Sequence, residues 1–122
     1  MAAAYIRSAV SDPVGDEIVK QLTKIKDAIG KKNGSVELGI IYLDMGYSGM
    51  TFDRPGMKRM LDDMKSGKVG LVYFEDISRI ARDKGLLKDF ENRAKKSSVV
   101  LVDCNSIGVE PVRLEMPKGL YI

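Results

Sequence analysis

The fold is decided by residues 44–83, which have the sequence DMGYSGMTFDRPGMKRMLDDMKSGKVGLVYFEDISRIARD. This stretch contains a Ser-Gly loop at 44–49, a segment of helical spacing that starts at Pro55, a strand-like apolar run that ends at Phe74 and a further helical segment from Ile77. Proline suits the first turn of a helix, and a short apolar run between turn residues is typical of a buried strand. The alternation indicates an α/β protein with a mainly parallel sheet.

The rest of the chain extends this alternation in both directions. We predict strands at 2–6, 38–43, 69–74 and 99–102. Helices are predicted at 16–29, from Pro55 to about residue 65, and at 77–95, the last as one helix or as two helices broken at Gly85. Residues 105–122 contain two prolines and no clear helical pattern. Helices should cover both faces of the sheet.

Composition limits the class of protein. A chain of 122 residues that is 44% hydrophobic and 30% charged has the size of one ordinary domain, so we expect a single domain over 1–122. Its net charge of +3 permits a polyanionic partner without requiring one. The chain has no histidine, which excludes His-based catalysis, and the lone Cys104 fits a reducing compartment. The apolar opening at 1–6 is too short to span a membrane, so we expect a cytoplasmic protein without membrane contact.

Charged and polar residues are concentrated where the predicted strands end. Arg7 follows the first strand, Ser48 follows the second, and Arg79 and Arg82 follow the third. Ligands of open parallel sheets bind beyond the carboxyl ends of the strands, and guanidinium groups suit bidentate contact with phosphate oxygens. The sequence therefore predicts a phosphate cleft lined by these four residues, with Arg54 near its rim.

Other interpretations of the same residues remain open or find no support. Arg79 and Arg82 could belong to a solvated helix face with salt bridges. No Gly-x-x-x-x-Gly-Lys-Ser/Thr run is present, so ATP is not implied. Four aspartates could be imagined as a magnesium site, but they lack the spacing of the familiar metal motifs: Asp12, Asp16, Asp44 and Asp53. We predict no metal and no cofactor.

Three motifs follow one another along the chain: Asp-x-Gly-x-Ser-Gly, then Asp-Arg-Pro-Gly, then Ser-Arg-x-x-Arg-Asp. This pattern resembles the catalytic domain of the serine recombinases, the resolvase and invertase family, and most of all the large members from transposons and phages. The resemblance covers about residues 2–104. It implies a three-layer αβα domain with a mixed, mostly parallel sheet of about five strands, one of them antiparallel. It also implies site-specific DNA recombination through a 5′-phosphoserine intermediate, with strand exchange inside a tetramer.

The resemblance assigns roles to individual residues. Tyr5-Ile6-Arg7 is similar to the family's opening Tyr-x-Arg, and Gln21 matches a polar active-site residue. The implied catalytic set is Arg7, Gln21, Asp44, Ser48, Arg54, Arg79 and Arg82, and its arginines are the expected DNA phosphate ligands. They would stabilise the charged transition state in place of a metal ion.

The nucleophile position departs from the family pattern. In Tyr-x-Arg-x-Ser the serine stands two residues after the arginine, and this place is occupied by Ala9. Alanine has no hydroxyl, so we expect the chain to be inactive in cleavage. Ser8 would point the opposite way in an extended chain, and Ser11 lies in a predicted loop. Both are weak substitutes whose simpler role is turn hydrogen bonding.

The resemblance leaves two alternatives to an active recombinase. One is a non-enzymatic relative that keeps the fold for DNA binding or assembly. The other, a receiver-like or nucleotide-binding domain, explains neither Ser48-Gly49 nor the arginines. The family's dimerisation helix and DNA-binding domain would follow Ile122. We therefore expect dimers and tetramers only in a longer protein, and weak self-association and weak, non-selective DNA binding by this chain.

Overall fold

A computed structural model describes residues 1–11, 15–31 and 37–106, with the side chains of Lys31 and Ser106 excepted. Strands and helices alternate along these residues. They are β1 (Ala2–Ser8), α1 (Asp16–Lys31), β2 (Leu38–Met45), α2 (Pro55–Lys65), β3 (Leu71–Phe74), α3 (Ile77–Ile80), α4 (Lys84–Lys96) and β4 (Val100–Asp103). A short 3-10 helix follows at Cys104–Ser106. The predicted α/β class is confirmed.

The described sheet is entirely parallel. Its strand order is β2-β1-β3-β4, so β1 is central and pairs with both β2 and β3. The sheet has four strands rather than the expected five, and the antiparallel strand is not among the described residues. Residues 107–122, most of the segment without a clear helical pattern, lie outside them.

Helices cover both faces of this sheet, as predicted. Side chains alternate along β1, so Ala4 and Ile6 pack with α1, whereas Ala3 and Tyr5 pack with the helices on the opposite face. The three-layer arrangement is therefore confirmed. The regular spacing of methionines in α2 serves the core, because all three are buried: Met57, Met60 and Met64.

The segment predicted as one or two helices is two helices, but the break is not at Gly85. It lies at 81–83, where Ala81 is extended and the Asp83 carboxylate accepts a hydrogen bond from Leu86 N at 2.9 Å to begin α4. Gly85 lies inside α4 because the Asp83 cap, two residues before it, makes the helix begin at Lys84. The break places Arg82 between the helices. None of the helices in the described ranges is long and apolar enough to cross a membrane.

Candidate functional site

The carboxyl ends of β1 and β2 bring Arg7 and Asp44 side by side. The two residues are register partners in the parallel ladder. Because side chains alternate along a strand, Arg7 emerges on the same sheet face as Tyr5, the face that α2, α3 and α4 cover. The site is therefore built between the strand ends and these helices.

Arg7 is buried, and neutral carbonyl groups surround its guanidinium. Nε donates to Arg79 O at 3.0 Å, Nη1 to Tyr47 O at 2.9 Å and Nη2 to Ser78 O at 2.8 Å. One side chain thus joins the loop after β2 to helix α3. Burial, and then the nearby positive charge of Arg54, lowers the pKa of Arg7. An anion near this cluster would relieve the repulsion between its cations.

Arg54 lies deep in the protein, so its predicted place at the rim is wrong. Its Nη1 donates to Tyr5 Oη at 2.9 Å and to Arg79 O at 3.3 Å, and its Nη2 donates to Ile80 O. The guanidinium carbon is 5.6 Å from the Tyr5 ring centroid and 5.8 Å from that of Phe52. These two rings draw the side chain inward from the start of α2. Nε is buried without a hydrogen-bond partner in the described part of the chain.

Asp44 connects this buried arginine to helix α2. Its carboxylate accepts hydrogen bonds from Tyr5 Oη at 2.6 Å, Gly56 N at 2.7 Å and Met57 N at 2.8 Å. A carboxylate at a helix N-terminus accepts hydrogen bonds from the free N–H groups and is attracted by the positive end of the helix dipole. Residue 56 must be glycine in this arrangement, because a Cβ there would lie 2.9 Å from the backbone oxygen of Leu43. Burial and the bond to Asp44 raise the pKa of Tyr5.

Arg79 is bound by carboxylates, unlike Arg7. Its Nε and Nη2 donate to Glu75 Oε1 at 2.9 and 2.7 Å, and Nη2 also donates to Glu17 Oε1 at 3.1 Å. Its Nη1 reaches Arg7 O at 3.2 Å. Gln21 joins the same group, since its Nε2 donates to Arg7 O and to Glu17 Oε1, both at 2.9 Å. Sequence reasoning missed both acids, although each stands four residues before a predicted site residue.

The exposed end of the site carries the residues around the nucleophile position. Ala9 and Ser11 are exposed, and Ser8 is buried with its Oγ accepting Val10 N at 3.3 Å. Ser48 is exposed, and its Oγ accepts Met50 N at 3.0 Å in a similar way. Both serine hydroxyls therefore fix local turns.

Gly49 brings the loop after β2 directly against the arginines. A Cβ at this position would lie 2.9 Å from Arg7 Nη2 and 3.0 Å from Arg82 Cγ, so a side chain here would displace these arginines. Gly49 O also accepts a hydrogen bond from Arg82 N at 2.9 Å. Arg7 lies beneath this loop, whereas Arg82 is exposed and the side chain of Arg79 is 18% exposed.

The structure thus brings the predicted catalytic residues into one region. Only part of the set faces solvent: Arg82, Ser48 and the edge of Arg79. Two of the aspartates considered for a metal, Asp44 and Asp53, bind other groups. Asp53 is exposed and pairs with Lys58 at 2.5 Å, and Asp12 lies outside the described residues. In the described ranges, no group of three or more His, Cys, Asp or Glu residues is placed to hold a metal ion.

Comparison with known proteins agrees with this architecture. Residues 2–116 match the family model described as resolvase, N-terminal domain. The chain belongs to this resolvase family. No curated protein matches the sequence.

Solved structures of serine recombinases share the fold of this resolvase-family domain. The N-terminal catalytic domain of TP901-1 integrase is 20% identical with a TM-score of 0.74, and the match covers 87% of this chain and 79% of that one. A resolvase-family site-specific recombinase from Streptococcus pneumoniae is 23% identical with a TM-score of 0.73, covering 96% and 77%. The C-terminal catalytic domain of ISC1926 TnpA, an IS607-like serine recombinase, is 17% identical with a TM-score of 0.72, covering 89% and 70%. The predicted serine recombinase resemblance is confirmed.

Proposed function

We propose that this chain is the catalytic domain of a site-specific serine recombinase, that its arginines hold a DNA backbone phosphate, and that Ala9 prevents covalent attachment to DNA. The observation that carries the proposal is the exposed position of Ala9, two residues after Arg7, which itself has three other arginines near it. The alternative is a non-enzymatic relative that binds DNA or assembles with other proteins, and the missing hydroxyl at residue 9 favours it.

The charge distribution supports a phosphate ligand. Arg7 is near three other arginines, and its own hydrogen-bond partners carry no charge. Fixed cations of this kind stabilise the charge that develops on a phosphoryl group in its transition state. A phosphate that approaches from solvent meets Arg82 and the edge of Arg79 first. Arg7 contributes its charge from beneath the loop, and Arg54 acts as a positioning residue that holds the α3 carbonyls.

Covalent cleavage would need a hydroxyl that residue 9 lacks. In the proposed reaction a serine oxygen bonds to phosphorus while the bond from phosphorus to the 3′-oxygen breaks, and the serine proton ends on that 3′-oxygen. Ser8 does not offer its hydroxyl to solvent, because the side chain is buried and its Oγ accepts Val10 N. Arginines can orient the phosphate, but they cannot replace the nucleophile.

The test is Ala9→Ser in the otherwise unaltered protein, incubated with DNA that carries its recombination site. Denaturing gels should show a protein–DNA adduct with a 5′-phosphoserine link for this variant and none for the parent. Ala9→Gly is the matched control, because it changes the same position without adding a hydroxyl. If the parent forms an adduct that Ser8→Ala or Ser11→Ala abolishes, the assignment of residue 9 is wrong. If Ala9→Ser binds the site and stays inert, the non-enzymatic alternative is favoured.

A further inference from the structure

Three apolar side chains are exposed directly after residue 9 or on the loop after β2, and phosphate binding does not account for them. They are Val10, Tyr47 and Met50, which are 69%, 38% and 60% exposed, and we call them the apolar rim. We propose that the apolar rim binds an unpaired nucleobase beside the phosphate held by the arginines, so that the site prefers single-stranded or locally melted DNA to intact duplex. This inference rests on the proposed phosphate site.

Hydrogen bonds tie the backbone of the apolar rim to the site. Tyr47 N donates to Ser8 O at 3.1 Å, and Tyr47 O accepts from Arg7 Nη1 at 2.9 Å. Val10 follows Ala9 directly, and its N donates to Ser8 Oγ at 3.3 Å. The backbone under these side chains is therefore ordered before any ligand arrives, which lowers the entropy cost of binding.

Met50 completes the apolar rim on the side of Arg82. Its N donates to Ser48 Oγ at 3.0 Å, and it follows Gly49, whose backbone packs against Arg7 and Arg82. Arg82 and Met50 are both exposed, and Arg82 N donates to the backbone oxygen of Gly49, the residue before Met50. A ligand that contacts both needs an anionic group and an apolar group close together.

A nucleotide has this combination, since one sugar joins its phosphate to a flat base. Aromatic side chains stack on bases of any sequence, at about 1–3 kcal/mol per base, which corresponds to roughly 5- to 150-fold in affinity. In a duplex the neighbouring pairs cover both faces of each base, so a stacking surface can reach only a base that has left the stack. Tyr47 supplies the aromatic ring, and Val10 and Met50 are the other exposed apolar side chains that a base could contact.

The test compares binding of this 122-residue chain to three fluorescent DNA probes by anisotropy at low salt. The probes are a short single strand, the corresponding duplex, and a single strand of equal length whose bases are replaced by abasic sites. We expect the chain to bind the normal single strand about tenfold more tightly than the abasic one. This comparison uses the unaltered protein, so it does not depend on the folding of a variant.

Variants separate stacking from phosphate binding. Tyr47→Ala should weaken binding of the normal strand about tenfold and leave the abasic strand unchanged, whereas Tyr47→Phe should retain the affinity within about twofold because the ring remains. Arg82→Gln should weaken both strands. Equal affinity for normal and abasic strands, or tighter binding of the duplex, would overturn the inference. If Arg82→Gln still weakened binding of both strands in that case, the proposed phosphate site would remain supported. No effect of Arg82→Gln on either strand would count against the proposed function itself.

Discussion

The arginines in the two halves of the site have different hydrogen-bond partners. On the side of β1 and β2, Arg7 and Arg54 donate to backbone carbonyls and to the hydroxyl of Tyr5. On the side of β3 and β4, Arg79 is held by the carboxylates of Glu75 and Glu17. We call these the neutral side and the acidic side. Ala9 follows the strand that ends on the neutral side.

The difference separates two uses of a buried arginine. Carbonyl oxygens satisfy N–H groups without cancelling the charge, so the positive potential of Arg7 remains available to an anion, whereas the nearby Asp44 carboxylate offsets part of that of Arg54. Carboxylates cancel the charge and hold the guanidinium in place, since Nε and Nη2 of Arg79 both donate to one oxygen of Glu75. The neutral side is therefore suited to attract a phosphate, and the acidic side to orient one arginine beside it.

The strongest test of the neutral side is Arg54→Met. We expect it to lower the free energy of unfolding by about 3 kcal/mol, because two carbonyls and Tyr5 lose their donor and Asp44 loses a nearby positive charge. Urea denaturation measures the change.

Arg59→Met is the matched control for that experiment. Arg59 belongs to α2, its side chain is 71% exposed, and its contact with Asp63 is 3.9 Å long. Its loss should change stability by less than about 0.5 kcal/mol. If the two substitutions cost the same, Arg54 does not support the neutral side.

A test of the acidic side is Glu75→Gln, which keeps the shape of the side chain and removes its charge. We expect a loss of about 1–2 kcal/mol in stability, because Arg79 loses its closest charged partner. Affinity for a single-stranded DNA probe at low salt should rise several-fold, since a negative charge near the phosphate is removed.

The control for Glu75→Gln is Asp89→Asn, which makes the same charge change on α4, where Asp89 pairs with Arg93. It should leave DNA affinity within about twofold, because both side chains are about half exposed and screened. A fall in affinity on Glu75→Gln would show that the orientation of Arg79 matters more than the charge of the acid.

The smallest expected effect concerns Asp103 at the end of β4. Burial raises the pKa of this carboxyl, although Asn105 N donates to it at 2.9 Å. A raised pKa means that the folded state binds the proton more tightly than the unfolded state. The resulting stability is present below the unfolded pKa of about 4 and is lost as the pH rises through the folded pKa.

Asp103→Asn should therefore raise the free energy of unfolding at pH 7 by less than about 1 kcal/mol. At about pH 3, where the carboxyl is protonated in both states, the substitution should not change it. Urea denaturation of parent and variant at both pH values measures the difference. An equal gain at both pH values would mean that ionisation of Asp103 is not its cause.

The sequence was sufficient to predict the main strands and helices and the convergence of the arginines, because both follow from local sequence patterns. Spacing of apolar residues located the four described strands and the segments that form the α-helices, though not the 3-10 helix at Cys104–Ser106, and strand ends in a parallel sheet necessarily meet at one edge. The cap that begins α4 was not predicted, because the sequence analysis placed the possible break at Gly85 although Asp83 is a favourable capping residue.

The depth of the arginines could not be read in the same way. Arg54 is buried because Tyr5 and Phe52, both distant in sequence from α3, enclose it together with the α3 carbonyls. Such a contact depends on tertiary packing and leaves no periodic signal. The role of Glu17 is similar, because its partner Arg79 lies on another element.

The central place of β1 has a consequence for how the chain folds. β1 precedes the other described strands in the sequence, yet its partner on one side, β3, begins only at Leu71. Until then the apolar residues of β1 can pair only with β2, which begins at Leu38. Parallel pairing between segments so distant in sequence requires closure of long loops, which slows folding. A nascent chain that stops before Leu71 therefore leaves one edge of β1 open to aggregation or to capture by a chaperone.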